Sequence, residues 1–151
     1  MQLYVHDFSE YWGGTARGDL NALGLFETYS LDEYWAKADW AAHLIWCGQA
    51  LAGFCLVNDK THSGLKADRN MAEFFIVRKH RRRGVGSLAA EIVFSRHPGL
   101  WEVAVARKNA RAREFWHNTI KRSGKCSEFQ ELDLQDTRWN GSIFRFEWPN
   151  R

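Results

Sequence analysis

One stretch constrains this chain more than any other: MAEFFIV at 71–77, the basic run RKHRRRGVG at 78–86, and SLAAEIVF at 87–94. A continuous β-prone run, a turn with two glycines and a segment at helical spacing follow one another without a gap. A strand must therefore pass through a tight turn straight into a helix. Gly84 and Gly86 let the backbone come close to a ligand, and the first amide N–H groups of the helix carry the positive end of its dipole. Arg81, Arg82 and Arg83 add full charges beside them. Such a turn is a seat for a phosphate or pyrophosphate. It is not a Walker loop, because the Gly-Lys pair is absent. It is not a dinucleotide fingerprint either, because Ala89 stands where a third glycine is needed.

The chain is 151 residues long, 45% hydrophobic and 26% charged, with 8 Trp among its aromatics, which suits one domain with a sizeable core and excludes disorder. Its most apolar run, 41–57, carries His43, Gly48 and Gln49. That run is shorter than the ~20 residues a spanning helix needs. Asp7 and Glu10 stand where an export signal would be basic and then apolar, so the expected compartment is the cytoplasm. Cys47, Cys55 and Cys126 form no CxxC pair and read as buried free thiols. The six histidines fall at no HExxH or i,i+4 spacing, so no metal is expected. GxSxG, the mark of a serine hydrolase, is absent.

Charge is unevenly placed. Residues 78–83 hold five of the 21 Lys and Arg, leaving 16 basic against 18 acidic residues elsewhere. Residues 1–39 carry seven acids against Arg17 and Lys37. A wide nucleic-acid footprint would spread its basic residues along a face. One concentrated knot fits a single anionic group gripped at one place.

The remaining pattern predicts a mixed sheet flanked by helices, an α/β or α+β domain. Residues 3–7 read as a short opening strand. Ser30 to Asp39 reads as a helix capped by Ser30, with Glu33 completing a capping box. Residues 40–47 and 50–57 read as a hairpin turning at Gly48-Gln49, with Cys55 facing Ala42. The helix after the knot places Leu88, Ile92 and Ser95 or Arg96 at helical spacing and stops at His97-Pro98-Gly99. WEVAVA at 101–106 is a strand, and 109–122 a helix capped by Asn109 with Ala112, Phe115, Trp116 and Ile120 as its apolar stripe. The last two strands are joined around Asn140-Gly141.

The segment Arg81-Arg82-Arg83-Gly84-Val85-Gly86 resembles the acetyl-CoA-binding motif of the GNAT superfamily of N-acetyltransferases. That motif is Gln/Arg-x-x-Gly-x-Gly/Ala between a strand and a helix. The next strand follows, and Asn109, Ala112 and Phe115 stand at the spacing of the family's N-xx-A-xx-F segment. The resemblance covers 71–120 closely and the hairpin before it loosely. It implies a mostly antiparallel sheet splayed between its two central parallel strands. It also implies a single domain over 1–151, with 71–120 as the acyl-CoA-binding core and 1–39 and 127–148 on the acceptor side.

Carried over residue by residue, the resemblance puts the backbone of Phe75, Ile76 and Val77 along the pantetheine arm, with an N–H near Val77 polarising the thioester carbonyl. The N–H groups of Arg82 to Ser87, through Arg83, Gly84, Val85 and Gly86, would wrap the pyrophosphate, and Asn109 would face the pantetheine or thioester end. The amine acceptor needs a base. Glu73 on the same strand is the first candidate, with Asp7, Glu27, Glu33 and His43 as alternatives. After Phe115 the family usually has a Tyr that protonates the leaving thiolate; here it is Trp116, whose indole cannot do so near neutral pH. Tyr29, Tyr34 or His117 would take that role, or the thiolate leaves unassisted, with Trp116 packing against the cofactor. The Gly-Phe that often follows is replaced within Lys121-Arg122-Ser123-Gly124.

Tyr11, Trp12, Tyr29, Tyr34 and Trp35 stand among the N-terminal acids. Carboxylates with aromatic faces suit a cationic amine: an aminoglycoside-like molecule, a polyamine or a lysine side chain. A homodimer is compatible with this reading, and no membrane is implied. Two other readings stay open: a fold that binds acyl-CoA without turnover, and a nucleic-acid module using 78–83 as a phosphate clamp.

Overall fold

A computed structural model describes residues 1–11 and 18–150. Helices α1 (Gln2–Ser9) and α2 (Asp32–Ala36) precede the hairpin β1 (Ala41–Cys47) and β2 (Ala50–Asn58). Then come β3 (Arg69–Ile76), α3 (Val85–Arg96), β4 (Gly99–Ala106), α4 (Ala110–Arg122), β5 (Ser127–Gln135) and β6 (Asn140–Trp148). Among the described residues six strands form one sheet in the order β1-β2-β3-β4-β6-β5. Of its pairings β3 with β4 is parallel, and the others are antiparallel.

The parallel pair is joined at one end alone. Arg69 faces Trp101 and Asn70 faces Glu102, and no further register continues toward the C-terminal ends. The sheet therefore opens between β3 and β4, the splay that the family resemblance implies. The opening begins where β3 takes an extra residue. Leu56 faces Glu73 but Val57 faces Met71, which leaves Ala72 as a bulge. A bulge bends its strand and increases its local twist. Ala72 packs with the buried Tyr34, Trp40 and Leu56, and Glu73 is reached by hydroxyls from the same face.

α3 and α4 cover one face of the sheet. Phe94, Trp101, Phe144 and Phe146 are fully buried there with Trp116, Ile120 and Trp148 beside them. α1 and α2 cover part of the other face, Tyr4 and Val5 packing on Phe75 and Tyr34 and Trp40 on Leu56.

Several local expectations are corrected. Residues 3–7 are helical: Tyr4, Val5 and Phe8 share one face of a helix and together reach Phe75 and Phe54, a contact that strand alternation would divide between two faces. α2 is five residues long, its N-cap is Leu31, and no side chain caps it. The Ser30 hydroxyl reaches Asp32 instead, and the chain turns extended at Lys37 so that Trp40 can enter the core and donate to Asp59 at 2.9 Å. In α3 the buried face is Ala89, Ala90, Val93 and Phe94, while Leu88 and Ile92 point to solvent; both faces are apolar, so spacing alone does not choose between them. Cys55 faces His43, because Ala52 is an extra residue in β2. Of the thiols only Cys55 is fully buried, and burial pushes it up to about 12. The last turn lies at 136–139, with Asp136 N–H bonded to Trp139 O, and Asn140-Gly141 already belongs to β6.

Beneath the closed end of the splay lies a buried ion pair. Glu102 is fully buried, and one of its oxygens lies 2.8 Å from Arg145 Nη1. The backbone N–H groups of His62 and Ser63 and the Ser63 hydroxyl donate to the same carboxylate. Arg145 also donates to the Lys66 carbonyl at 2.7 Å. The connection from β2 to β3 is thereby fastened to the sheet.

β2 and β3 approach unusually closely at Gly53, where a Cβ would lie 2.0 Å from the Phe75 carbonyl oxygen. Gly53→Ala must push the two backbones apart. It is expected to cost at least ~2 kcal/mol, or about 4–8 °C in Tm for a chain of this size. Calorimetric melting of the variant checks this.

Candidate functional site

The open end of the splay is the first part of the site. The Phe75 carbonyl points at Gly53, and Val77 N–H donates to Ala52 O at 2.8 Å. Both backbones are thus committed to β2. Alternation along a strand then turns the N–H and C=O of Phe74 and Ile76 into the opening. Val77 N–H itself is already spent, which narrows the expected donor near Val77 to the groups of Ile76 and Phe74 that face the slot. The Ile76 carbonyl is itself taken by Arg81 Nε at 2.6 Å.

The turn follows. A short 3₁₀ turn at Arg78–His80 leads through Arg82, at φ 58°, to Gly84, at φ 77°, which is the N-cap of α3. No side chain caps this helix, so the amides of Val85, Gly86 and Ser87 are the unsatisfied donors of its first turn. Arg82 and Arg83 are exposed beside them. Arg81 has a different role. Its Nη2 lies 2.5 Å from Asp7, which also takes Arg78 at 2.8 Å. Two of the five basic residues at 78–83 are therefore struts binding the turn to α1.

Burial alone would raise the Asp7 carboxyl, but the hydrogen bonds and charges of Arg81 and Arg78 outweigh it and hold Asp7 below its ordinary 3.8. A depressed folded value gives stability that is present above about pH 4 and lost as pH falls through that lower value. Asp7→Asn should therefore flatten the acid limb of a Tm-against-pH profile below about pH 4; an unchanged limb would contradict this assignment.

Gly86 lies under Phe115, where a Cβ would come within 3.2 Å of the ring. The Ser87 hydroxyl is 3.0 Å from Thr119 Oγ1, tying α3 to α4. Asn109 caps α4 by accepting Ala112 N–H at 3.1 Å, which leaves its amide NH2 for other partners. Phe115 stacks on Phe74 with centroids 5.8 Å apart. Trp116 is buried, edge-on to Phe74 at 5.0 Å and Phe115 at 4.9 Å. It belongs to the main hydrophobic core.

Glu73 stands one step along β3 from the slot. Tyr4 Oη donates to one of its oxygens, and Tyr29 Oη donates to the other at 3.0 Å. Burial and then the Glu73 charge push the Tyr29 phenol far up, so it stays a protonated donor. Burial likewise raises Tyr34, whose oxygen accepts from Asn58 Nδ2 at 3.2 Å; Asn58 accepts in turn from Asn70 at 2.9 Å. Tyr4 is the residue that sequence reading missed. The Tyr4–Phe8 spacing beside Val5 was the available signal.

Next to these phenols is a cavity of about 390 Å³, lined by Glu27, Tyr29, Glu33, Tyr34, Trp40 and Lys60 among others. Glu33 takes Lys37 at 2.7 Å and Lys60 at 3.2 Å, and both ammonium groups lie over the Trp40 ring, at 4.2 and 4.7 Å. The other candidate bases and acids lie apart. Asp7 is engaged by arginines, and His43 is paired with His97 at 2.8 Å. His117 packs against Phe129 and Phe144. Trp12 and Arg17 lie outside the described residues.

No family model matches this sequence, and no curated protein does. Solved structures do. The chain is similar to an acetyltransferase from Thermus thermophilus, with 16% identity, a TM-score of 0.59 and coverage of 82% of this chain and 78% of that one. A GNAT-family protein from Desulfovibrio desulfuricans gives 14% identity and a TM-score of 0.52 over 99% and 91% of the two chains. Another from Bacteroides thetaiotaomicron gives 13% and 0.51 over 100% and 87%. At these identities the likeness is one of architecture: the chain has the GNAT fold.

Proposed function

We propose that this chain, with its GNAT fold, is an N-acetyltransferase that moves an acetyl group from acetyl-CoA to a primary amine of a cationic small molecule. The supporting observation is the splay between β3 and β4, which opens beside an uncapped helix start with Gly84 and Gly86 at its mouth. Residues 71–120 form the acyl-CoA side: Phe74 and Ile76 offer backbone groups to the pantetheine arm, the amides of Val85 to Ser87 hold the pyrophosphate, and Arg82 and Arg83 flank it. The acceptor enters from the side of Glu27, Tyr29 and Tyr34.

An alkylammonium titrates near ~10.4, so it must lose a proton before it can attack. The ammonium gives that first proton up to solvent, and Glu73 takes the second, from the attacking amine, as the nitrogen bonds to the acetyl carbon. The C–S bond then breaks and CoA leaves as a thiolate. Thiols titrate near ~8.5, so the thiolate is a fair leaving group without an acid. A slot N–H from Phe74 or Ile76 stabilises the developing oxyanion, a contribution of typically ~3 kcal/mol. Glu33 and Trp40 already hold the chain's own lysines, which leaves Glu27 and the two phenols as the groups that select a cationic acceptor.

A second reading, acyl-CoA binding without turnover, is favoured by Trp116, which supplies no hydroxyl and lies in the core. The nucleic-acid reading loses ground because Arg78 and Arg81 are engaged with Asp7. Calorimetry with acetyl-CoA, CoA and an oligonucleotide at two salt concentrations separates the three, followed by thiol release across an amine panel, corrected for the protein's own thiols. CoA binding with turnover of cationic amines is the expected result. Salt-sensitive oligonucleotide binding with no affinity for CoA would overturn it. Reversing Arg82 and Arg83 together to Glu should weaken acetyl-CoA at least about tenfold, or ~1.4 kcal/mol, with the melting temperature unchanged.

A further inference from the structure

We propose that β1 is the seam of a homodimer, in which two copies pair edge to edge and antiparallel across a two-fold axis at Leu44. The sheet has two edges, β1 and β5, and they are built differently. β5 carries Glu128, Glu131 and Asp133 and is interrupted between Ser127 and Gln130, with Glu128 at φ 52°. Charges and a bulge are the devices that keep a sheet edge from pairing with another chain. β1, AAHLIWC, has neither proline nor a carboxylate, lysine or arginine. Its one titratable ring, His43, is turned to His97 and is held toward its neutral form by burial and by Arg96.

The surface beside this edge is apolar. Leu44 is 63% exposed, Trp46 57% and Leu51 50%, and Trp35 on α2, the helix packed against β1, is 72% exposed. These side chains offer on the order of 500 Å² per copy toward the ~800 Å² that each partner of a stable pair contributes, and strand pairing adds backbone area.

The occupant follows from complementarity. In a two-fold antiparallel pairing each residue meets a fixed counterpart, so a charge at the axis would meet its own copy and a charge elsewhere on the strand would be laid against the partner's apolar residues. β1 brings none. Centring the axis on Leu44 keeps all seven residues paired. It sets Leu44 against the partner's Leu44 and the large Trp46 against the partner's small Ala42. The two sheets then run on as one.

Sedimentation of the full chain between about 5 and 100 µM tests this. The expected species has twice the 17.6 kDa of one chain. Leu44→Lys, at an exposed site, should raise the dimer dissociation constant at least about 50-fold with an unchanged circular dichroism spectrum. In a Cys47→Ser background, Leu44→Cys should form a reducible cross-linked dimer on oxidation. A wild-type chain that stays at 17.6 kDa at about 100 µM overturns the proposal. So does a dimer that survives Leu44→Lys but separates on Ile92→Lys, which would move the contact to the outer face of α3.

Discussion

Glu73→Gln is expected to lower kcat about 10²- to 10³-fold while leaving acetyl-CoA affinity within about twofold. The amide keeps the shape of the carboxylate but cannot accept a proton, and one of the two phenols must turn to accept from its NH2; general-base assistance typically supplies 10²–10⁴-fold. Affinity should hold because the proposed pyrophosphate seat at 82–87 and the backbone of Phe74 and Ile76 are untouched. Tyr29→Phe removes one of the two hydroxyls that orient the carboxylate and should cost less, about tenfold, mainly in kcat. The pair of variants distinguishes a proton acceptor from a strut. If Glu73→Gln retained more than half of wild-type turnover, the base would have to be sought elsewhere along the acceptor wall.

The second large effect is on stability. Glu102→Ala should cost about 3–5 kcal/mol, because it leaves the buried Arg145 guanidinium without its counter-charge and frees the N–H groups of His62 and Ser63. For a chain of this length that is a fall of roughly 6–20 °C in Tm. Replacing both partners by apolar residues of similar volume, Glu102→Leu with Arg145→Met, should recover most of the loss, since a buried ion pair often does no better than a packed apolar one. A double-mutant cycle by thermal denaturation measures the coupling. A Tm within about 3 °C of wild type for Glu102→Ala would show the pair to be dispensable. Asn70, facing Glu102, ends the parallel register, so the same variant should loosen the closed end of the slot and raise the KM for acetyl-CoA.

The local structure of the half proposed to hold the acyl donor was legible because its signals are local. A β-run, two glycines and a helical segment follow one another between residues 71 and 96, and the Asn109 cap and its Ala112 partner lie within one helical turn. That of the half proposed to take the acceptor was not. Tyr4 meets Glu73 across 69 positions of sequence, and LYVHD alternates well enough to pass for a strand until Phe75 is in place to receive Tyr4 and Val5. The seven N-terminal acids looked available as a count, yet Asp7 and Glu33 are each held by two basic residues, three of the four (Lys60, Arg78 and Arg81) from beyond the acidic stretch. The roles of Val77 and Arg81 also escaped, because they depend on which neighbour each backbone group has already found. The extra residues Ala52 and Ala72 defeat strict alternation, and with it any forecast of which side Glu73 would occupy.

The Ala72 bulge has a kinetic consequence. Because the strand is bent there by its own geometry, the cleft beside it exists before anything arrives. Acetyl-CoA should therefore associate in one step, with an observed rate that climbs linearly with concentration in stopped-flow and shows no plateau from a slow opening event.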